Sequence, residues 1–200
     1  LCKVVHEYDK VFVVHQRFEG KRIIESMQEL KKIVLASGVR LHISHFKMLG
    51  REYESQRQEA FAILDELRQA GIHVSCDQYP YGAGSTMLAG CIPPWAHVGG
   101  AGEMLKRLHD PETREKIKHD IMYTDTVWDN FVEFCTPDGI MVTSVESEKN
   151  QYCVGKTIVE IGAIRGCDPI DAMMDLLLEE DNKVGMVEFY GTEECVMDIM

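Results

Sequence analysis

The feature that most constrains this chain is a pair of like segments set 30 residues apart: VVHQRFEG, Val13 to Gly20, and ISHFKMLG, Ile43 to Gly50. Each is an apolar run that ends in a histidine, His15 or His45, followed after one residue by a cation, Arg17 or Lys47, and then by a glycine. A helix-like stretch fills the interval. One strand, one returning helix and two short loops consume about 30 residues, the length of a βαβ unit. Parallel strands one unit apart lie side by side, so histidines that end them emerge at the same carboxyl-terminal edge. That edge is where α/β barrels and open α/β sheets hold their chemistry. Two potential metal ligands are therefore expected to converge.

The flanking pattern supports this spacing. Val11 to Val14 reads as a short β-branched and aromatic strand buried on both faces. Lys21 to Ala36 reads as a helix, with Ile23, Ile24, Met27, Leu30, Ile33, Val34 and Leu35 at helical spacing and Gly38 as its stop. A second strand is expected over Val39 to Ser44. A second helix follows over Tyr53 to Gln69, with Ala60, Ile63, Leu64 and Leu67 inward and Gly71 ending it; a third strand spans Ile72 to Asp77. Three β/α repeats imply a parallel α/β architecture, and this pattern fits a barrel and an open sheet equally. Alternation places His42, three positions before His45, on the opposite face of its strand, and His73 lies near the start of the third. The third strand runs into CDQYPYGAGSTML, where Asp77, Tyr79, Tyr81, Ser85 and Thr86 crowd the same edge. Two imidazoles, cations, a phenol and hydroxyls at one mouth suit hydrolysis.

Composition narrows the partners. A formal net charge of -12, with no Lys/Arg cluster, argues against nucleic acid. No apolar run approaches the ~18 to 20 residues of a membrane span. Seven cysteines, an odd number without a CxxC pair, suit reduced thiols in a cytoplasmic protein. The start, LCKVVHEYDK, carries too many charges for a signal peptide, and its first residue, Leu1, leads us to expect a chain cut from a longer one.

Taken in order, H-x-R-x-E-G, ISHxK and D-x-YPY-x-AGSTML resemble the N-acyl-D-amino-acid deacylases (D-aminoacylases) of the amidohydrolase superfamily. IPPWAHVGG, LHDPETREKI and VGKTIVEIGAIRGCDPIDAMMDLLLEE are similar to that family too, less diagnostically. The resemblance implies an α/β fold, part of a zinc-dependent (β/α)8 TIM-like barrel. Residues 1–88 would supply barrel strands five to seven, 89–146 an inserted lid-like subdomain, and 147–200 a helical return that stops before the eighth strand. It implies His15 and His45 as ligands of Zn2+, for which imidazole nitrogen is an apt donor. It implies Tyr79 as the group polarising the scissile carbonyl, and Lys47 and Ser85 as contacts of the substrate carboxylate. The implied reaction is hydrolysis of N-acyl-D-amino acids, the small-molecule partners, to a carboxylate and a free D-amino acid. No oligomeric state is implied.

Arg17 and Glu19 are expected to form a structural pair beneath the site, and Asp77 to support Tyr79 or a metal-side histidine. The family's H-x-H pair, its early-strand cysteine and its aspartate after the eighth strand are not found in these 200 residues, so this chain alone is expected to be inactive. Two alternatives remain: a cyclic-amide hydrolase of the dihydropyrimidinase type, and a non-catalytic barrel serving as an interaction scaffold.

Further along, a helix is expected over Glu103 to Leu108, and another that Asp110 caps with Pro111 at its first position. Gly139 to Ser144 reads as a strand of the insert, Val154 to Arg165 and Pro169 to Glu179 as helices, Val184 to Phe189 as a strand and Glu193 to Met200 as a last helix. Glu179, Glu180 and Asp181 read as a solvated turn. The stretch from Tyr79 to Leu105 contains no lysine or arginine, which points to a substrate pocket suited to apolar side chains.

Overall fold

Short apolar segments separated by amphipathic helices fold here as the spacing predicts. In the computed structural model, which describes residues 1–123 and 128–200, α1 (Cys2–Glu7) leads to β1 (Val11–Val14), α2 (Ile23–Ser37), β2 (Arg40–Ile43), α3 (Arg57–Gln69) and β3 (Val74–Cys76). The strands form one sheet in the order β1-β2-β3, and both pairings are parallel. Val14 stands opposite Ile43, and Ile43 opposite Cys76, so the strand ends are level.

The helix stops follow from the sequence. Gly38 closes α2 in the left-handed conformation at φ 69, its N–H donating to Val34 O, a geometry that costs glycine nothing. The second helix is preceded by a 3₁₀ turn, Arg51–Gln56, so that α3 proper begins four residues later than its pattern suggested. Ala60, Ile63, Leu64 and Leu67 are its buried residues. They meet Met27, Leu30 and Val34 of α2, and Leu41 and Ile43 of β2, in one core.

Only one face of the sheet is packed in this way. Val11 and Val13 are 43% and 59% exposed, so β1 is not buried on both faces. The reason is pleat: Phe12 and Val14 turn with Leu41 and Ile43 toward the helices, whereas Val13 shares the open face with His42 and Ser75, its neighbours in register.

The compact units divide the chain as Leu1–Gly82 with Gly191–Met200, and Ala83–Tyr190. The second unit contains β4 (Gly84–Met87), α4 (Ala101–His109), α5 (Pro111–Tyr123), α6 (Phe131–Cys135), β5 (Ile140–Ser144), α7 (Ile158–Arg165), α8 (Pro169–Glu179) and β6 (Gly185–Glu188). Its sheet is antiparallel, in the order β4-β6-β5, so the strand after YPY pairs with β6. Asp110 Oδ2 accepts from Thr113 N at 2.9 Å beside Pro111, as its sequence predicts. Thr157 and Glu160 form a reciprocal capping box at α7, and Gly166 ends that helix at φ 69. Asp168 then caps α8, whose Ile170, Ala172, Met173, Met174, Leu176 and Leu177 are buried.

One acidic residue departs from expectation. Glu180 is no solvated turn residue but is 4% exposed. Its carboxylate accepts from Glu146 N (2.7 Å), Ser147 N (2.9 Å), Asn150 Nδ2 (2.6 Å) and Ser147 Oγ, gathering the loop after β5 around one charge. The last helix, α9 (Glu193–Ile199), returns to the first unit and adds Cys195 to its core. All seven cysteines are free thiols. No helix among the described residues is long and apolar enough to cross a membrane.

Candidate functional site

The ends of β1 and β2 lie level and adjacent, and the loops that leave them are tied together. Ser44 N donates to Val14 O at 2.9 Å, and Leu49 N to Glu19 O at 2.7 Å. Within this frame His15 and His45 face each other, with His15 Nδ1 3.0 Å from His45 Nε2 and ring centroids 4.6 Å apart. Two imidazole nitrogens bound to one zinc at about 2.0–2.1 Å in tetrahedral geometry stand about 3.3 Å apart. The observed approach, a hydrogen bond between the rings, is close to that separation, so the two nitrogens stand near enough to bind one ion.

His45 does not continue the strand. It adopts φ 42, in the left-handed region that non-glycine residues seldom occupy. Asp77, at the end of β3, holds it there: Asp77 Oδ1 accepts from His45 N at 2.6 Å, while Oδ2 pairs with His42 Nε2 at 2.7 Å. His42 Nδ1 in turn lies 2.9 Å from Ser75 Oγ. The His42 imidazole beside it, then the His45 amide, keep the Asp77 carboxyl below its ordinary value. Asp77 thus supports the site through the His45 backbone. His42, set aside on alternation, reaches the same carboxylate because it shares a face with Ser75, two residues before Asp77.

Glu19 corrects a further expectation. Arg17 turns away and forms a two-pronged pair with Glu29, both bonds at 2.9 Å. Glu19 is buried at the centre instead, with Oε1 2.9 Å from His45 Nδ1 and 3.9 Å from His15 Nδ1, and Oε2 2.5 Å from Lys47 Nζ. Among the described residues His15, Glu19 and His45 are the group whose potential ligand atoms gather, all within 4.8 Å of one another. The two imidazole nitrogens are donors that suit zinc, while the Glu19 oxygen is engaged at His45 Nδ1.

Lys47 is no exposed loop lysine. Its side chain is 9% exposed, and Nζ lies 3.1 Å from His45 Nδ1, 3.3 Å from His45 O and 5.9 Å from the centre of the Tyr79 ring. The structure therefore brings His15, His45, Lys47 and Tyr79 together. Ser85 lies on β4 in the second unit, where its Oγ donates to Met186 O at 3.1 Å. The His15 pKa is lowered, chiefly because its ring is partly withdrawn from water; Glu19 opposes that effect, and His45 and Lys47 add to it. The side chain as a whole stays 63% exposed.

With this geometry in hand, the chain can be set beside known proteins. No protein-family model matches it. A D-aminoacylase of Alcaligenes xylosoxydans xylosoxydans is 33% identical over 88 residues, which are 44% of this chain and 18% of that protein. Among solved structures, the N-acyl-D-glutamate deacylase of Bordetella bronchiseptica, complexed with zinc and a phosphonate inhibitor, matches with a TM-score of 0.68 at 22% identity. That match covers 100% of this chain and 32% of the other. A D-aminoacylase described as defining a novel subset of amidohydrolases matches at 0.63 and 24% identity over 99% of this chain and 31% of its own. The chain thus resembles D-aminoacylases in sequence and shares the fold of the corresponding part of their structures, as its three motifs predict. It spans about a third of the length of those solved structures.

Proposed function

We propose that the protein to which this chain belongs is a zinc-dependent amidohydrolase that removes the acyl group from N-acyl-D-amino acids. The observation that carries this reading is the 3.0 Å approach of His15 Nδ1 and His45 Nε2 at the carboxyl-terminal edge of adjacent parallel strands. The names of the similar proteins support the substrate class, and the zinc in one of them supports the metal. The open face of the three-stranded sheet supports a barrel, since parallel strands ordinarily have both faces covered and a closed barrel would bury Val13. In that reading residues 1–88 contribute barrel strands and the segment 89–146, of which 124–127 lie outside the described residues, contributes a cover.

His15 and His45 would hold the metal. Zinc bound there supplies Lewis acidity and a water of pKa near neutrality. The chain's own groups do the rest. Tyr79, on the loop after β3, is assigned as donor to the oxyanion that develops on the scissile carbonyl. Lys47 is assigned to the substrate carboxylate, with its ammonium anchored on Glu19 Oε2 and the His45 carbonyl. Ser85 is assigned to the substrate carboxylate on the resemblance alone; it stands on β4, where its Oγ donates to Met186 O.

The test is metal content and turnover of the full native protein. It is expected to hold zinc and hydrolyse N-acetyl-D-methionine while leaving the L-enantiomer intact, and the double variant His15→Ala/His45→Ala is expected to lose both. Stoichiometric zinc retained by that double variant would sink the assignment.

A further inference from the structure

A buried carboxylate that touches both a histidine and a lysine needs a reason for its cost, because an unpaired charge in that position is expensive. Glu19 is 3% exposed, and its two oxygens have separate partners: Oε2 meets Lys47 Nζ at 2.5 Å, and Oε1 meets His45 Nδ1 at 2.9 Å. Its backbone carbonyl is fixed too, by Leu49 N at 2.7 Å. The side chain is therefore held from both ends.

We propose that Glu19 is the positioning residue of the metal centre, accepting the Nδ1 proton of His45 and so leaving the His45 Nε2 lone pair aimed at the point shared with His15. This rests on the metal reading above. The argument is one of proton accounting. A carboxylate only accepts, an ammonium only donates, and a neutral imidazole carries one proton on one of its two nitrogens. His45 Nδ1 lies within reach of both Glu19 Oε1 and Lys47 Nζ. If Nδ1 lacked its proton, the buried Glu19 Oε1 would face a lone pair at 2.9 Å, and Nε2–H would point at His15. With the proton on Nδ1, His45 donates to Glu19 Oε1, and Lys47 directs its protons to Glu19 Oε2 and His45 O.

The partner bond of a metal-binding histidine sets its tautomer and ring orientation in just this manner. An oxygen engaged at Nδ1 lies away from the direction in which Nε2 points. Glu19 therefore acts through His45, and Lys47 neutralises the charge that this requires. Asp77 complements it from the other side, gripping the His45 amide where Glu19 grips the ring.

The experiment uses the full native protein, stripped of metal and labelled with nitrogen-15 at histidine. The expected spectrum shows His45 with Nδ1 protonated and Nε2 bare. In Glu19→Ala that preference is lost in favour of the other tautomer or a mixture. Zinc affinity, read by competition with a chelator, falls about 10- to 100-fold in Glu19→Gln, whose neutral amide keeps the shape. A native His45 carrying its proton on Nε2 would overturn the proposal. So would a well-folded Glu19→Gln that binds zinc as tightly as the native protein. If the native protein bound no zinc at all, the metal reading would fail by itself, whereas the tautomer of the metal-free protein would still judge whether Glu19 holds the ring.

Discussion

Glu180 offers a perturbation whose size can be worked from the structure. Burial alone would raise its carboxyl, yet bonds from Ser147, Asn150 and the amides of Ser147 and Glu146 outweigh that effect and bring it from an ordinary 4.5 to about 2. Holding a carboxyl that far down corresponds to about 3 kcal/mol, at about 1.4 kcal/mol for each tenfold in proton affinity. The sign follows from the direction. A carboxyl depressed in the folded state contributes its stability fully above about 4.5, and that contribution fades as pH falls from there to about 2. Glu180→Gln keeps the volume but sets an amide N–H₂ against two of the four donors, so a loss of about 3 kcal/mol is expected at neutral pH. The variant should also lack the native protein's steep loss of stability across that acid window. Urea unfolding at pH 7 and at pH 3 reads both effects, and hydrogen exchange at the amides of Glu146 and Ser147 localises them. A variant within about 0.5 kcal/mol of the native protein at neutral pH, the range of an ordinary surface substitution, would refute the account.

Two further outcomes concern the reaction. Tyr79→Phe in the full native protein should lower kcat by about 10²- to 10³-fold with zinc content and thermal stability unchanged, and an unaltered kcat would confine Tyr79 to a structural part in the YPY loop. Substrates with neutral or apolar side chains should be preferred, because no lysine or arginine occurs between Tyr79 and Leu105, and the next cations are engaged: Lys106 with Glu103 at 2.6 Å, and Arg107 with the carbonyls of Ala96 and Val98. The measurement is kcat/KM for N-acetyl-D-methionine against N-acetyl-D-glutamate, and a clear preference for the glutamate derivative would mean that another cation serves the pocket.

The parts of this site that were legible in the sequence are those set by periodicity. The 30-residue interval between His15 and His45 encodes a βαβ step, and level parallel strands turn that step into a 3.0 Å approach without any side chain having to be guessed. Strand alternation, by contrast, applies only while the chain is a strand. It placed His42 on the face away from the site, but β2 ends at Ile43, His45 takes φ 42, and Asp77 reaches both His42 and the His45 amide. A residue just past a strand end is positioned by its loop, and the loop is set by tertiary contacts.

The same limit explains why both decisive carboxylates were misread. In a chain with 33 acidic residues and a net charge of -12, a glutamate such as Glu180 is most simply read as solvated, and Glu19, though placed beneath the site by its motif, is most simply paired with the nearby Arg17. What distinguishes them is the donors that fold around them. Glu19 gathers a lysine and a histidine from the loop after β2, and Glu180 gathers amides and side chains from the loop after β5. In each case the donors lie between 26 and 34 residues away in sequence. Such a carboxylate is tolerable inside the protein only because every oxygen meets a donor, and removing one partner leaves an expensive charge behind. The two sites thus obey one rule with different consequences. Around Glu180 the gathered donors are backbone and neutral groups, so its charge stabilises a loop; around Glu19 one donor is an imidazole with a second nitrogen, so the same pairing also decides what that second nitrogen offers to a metal.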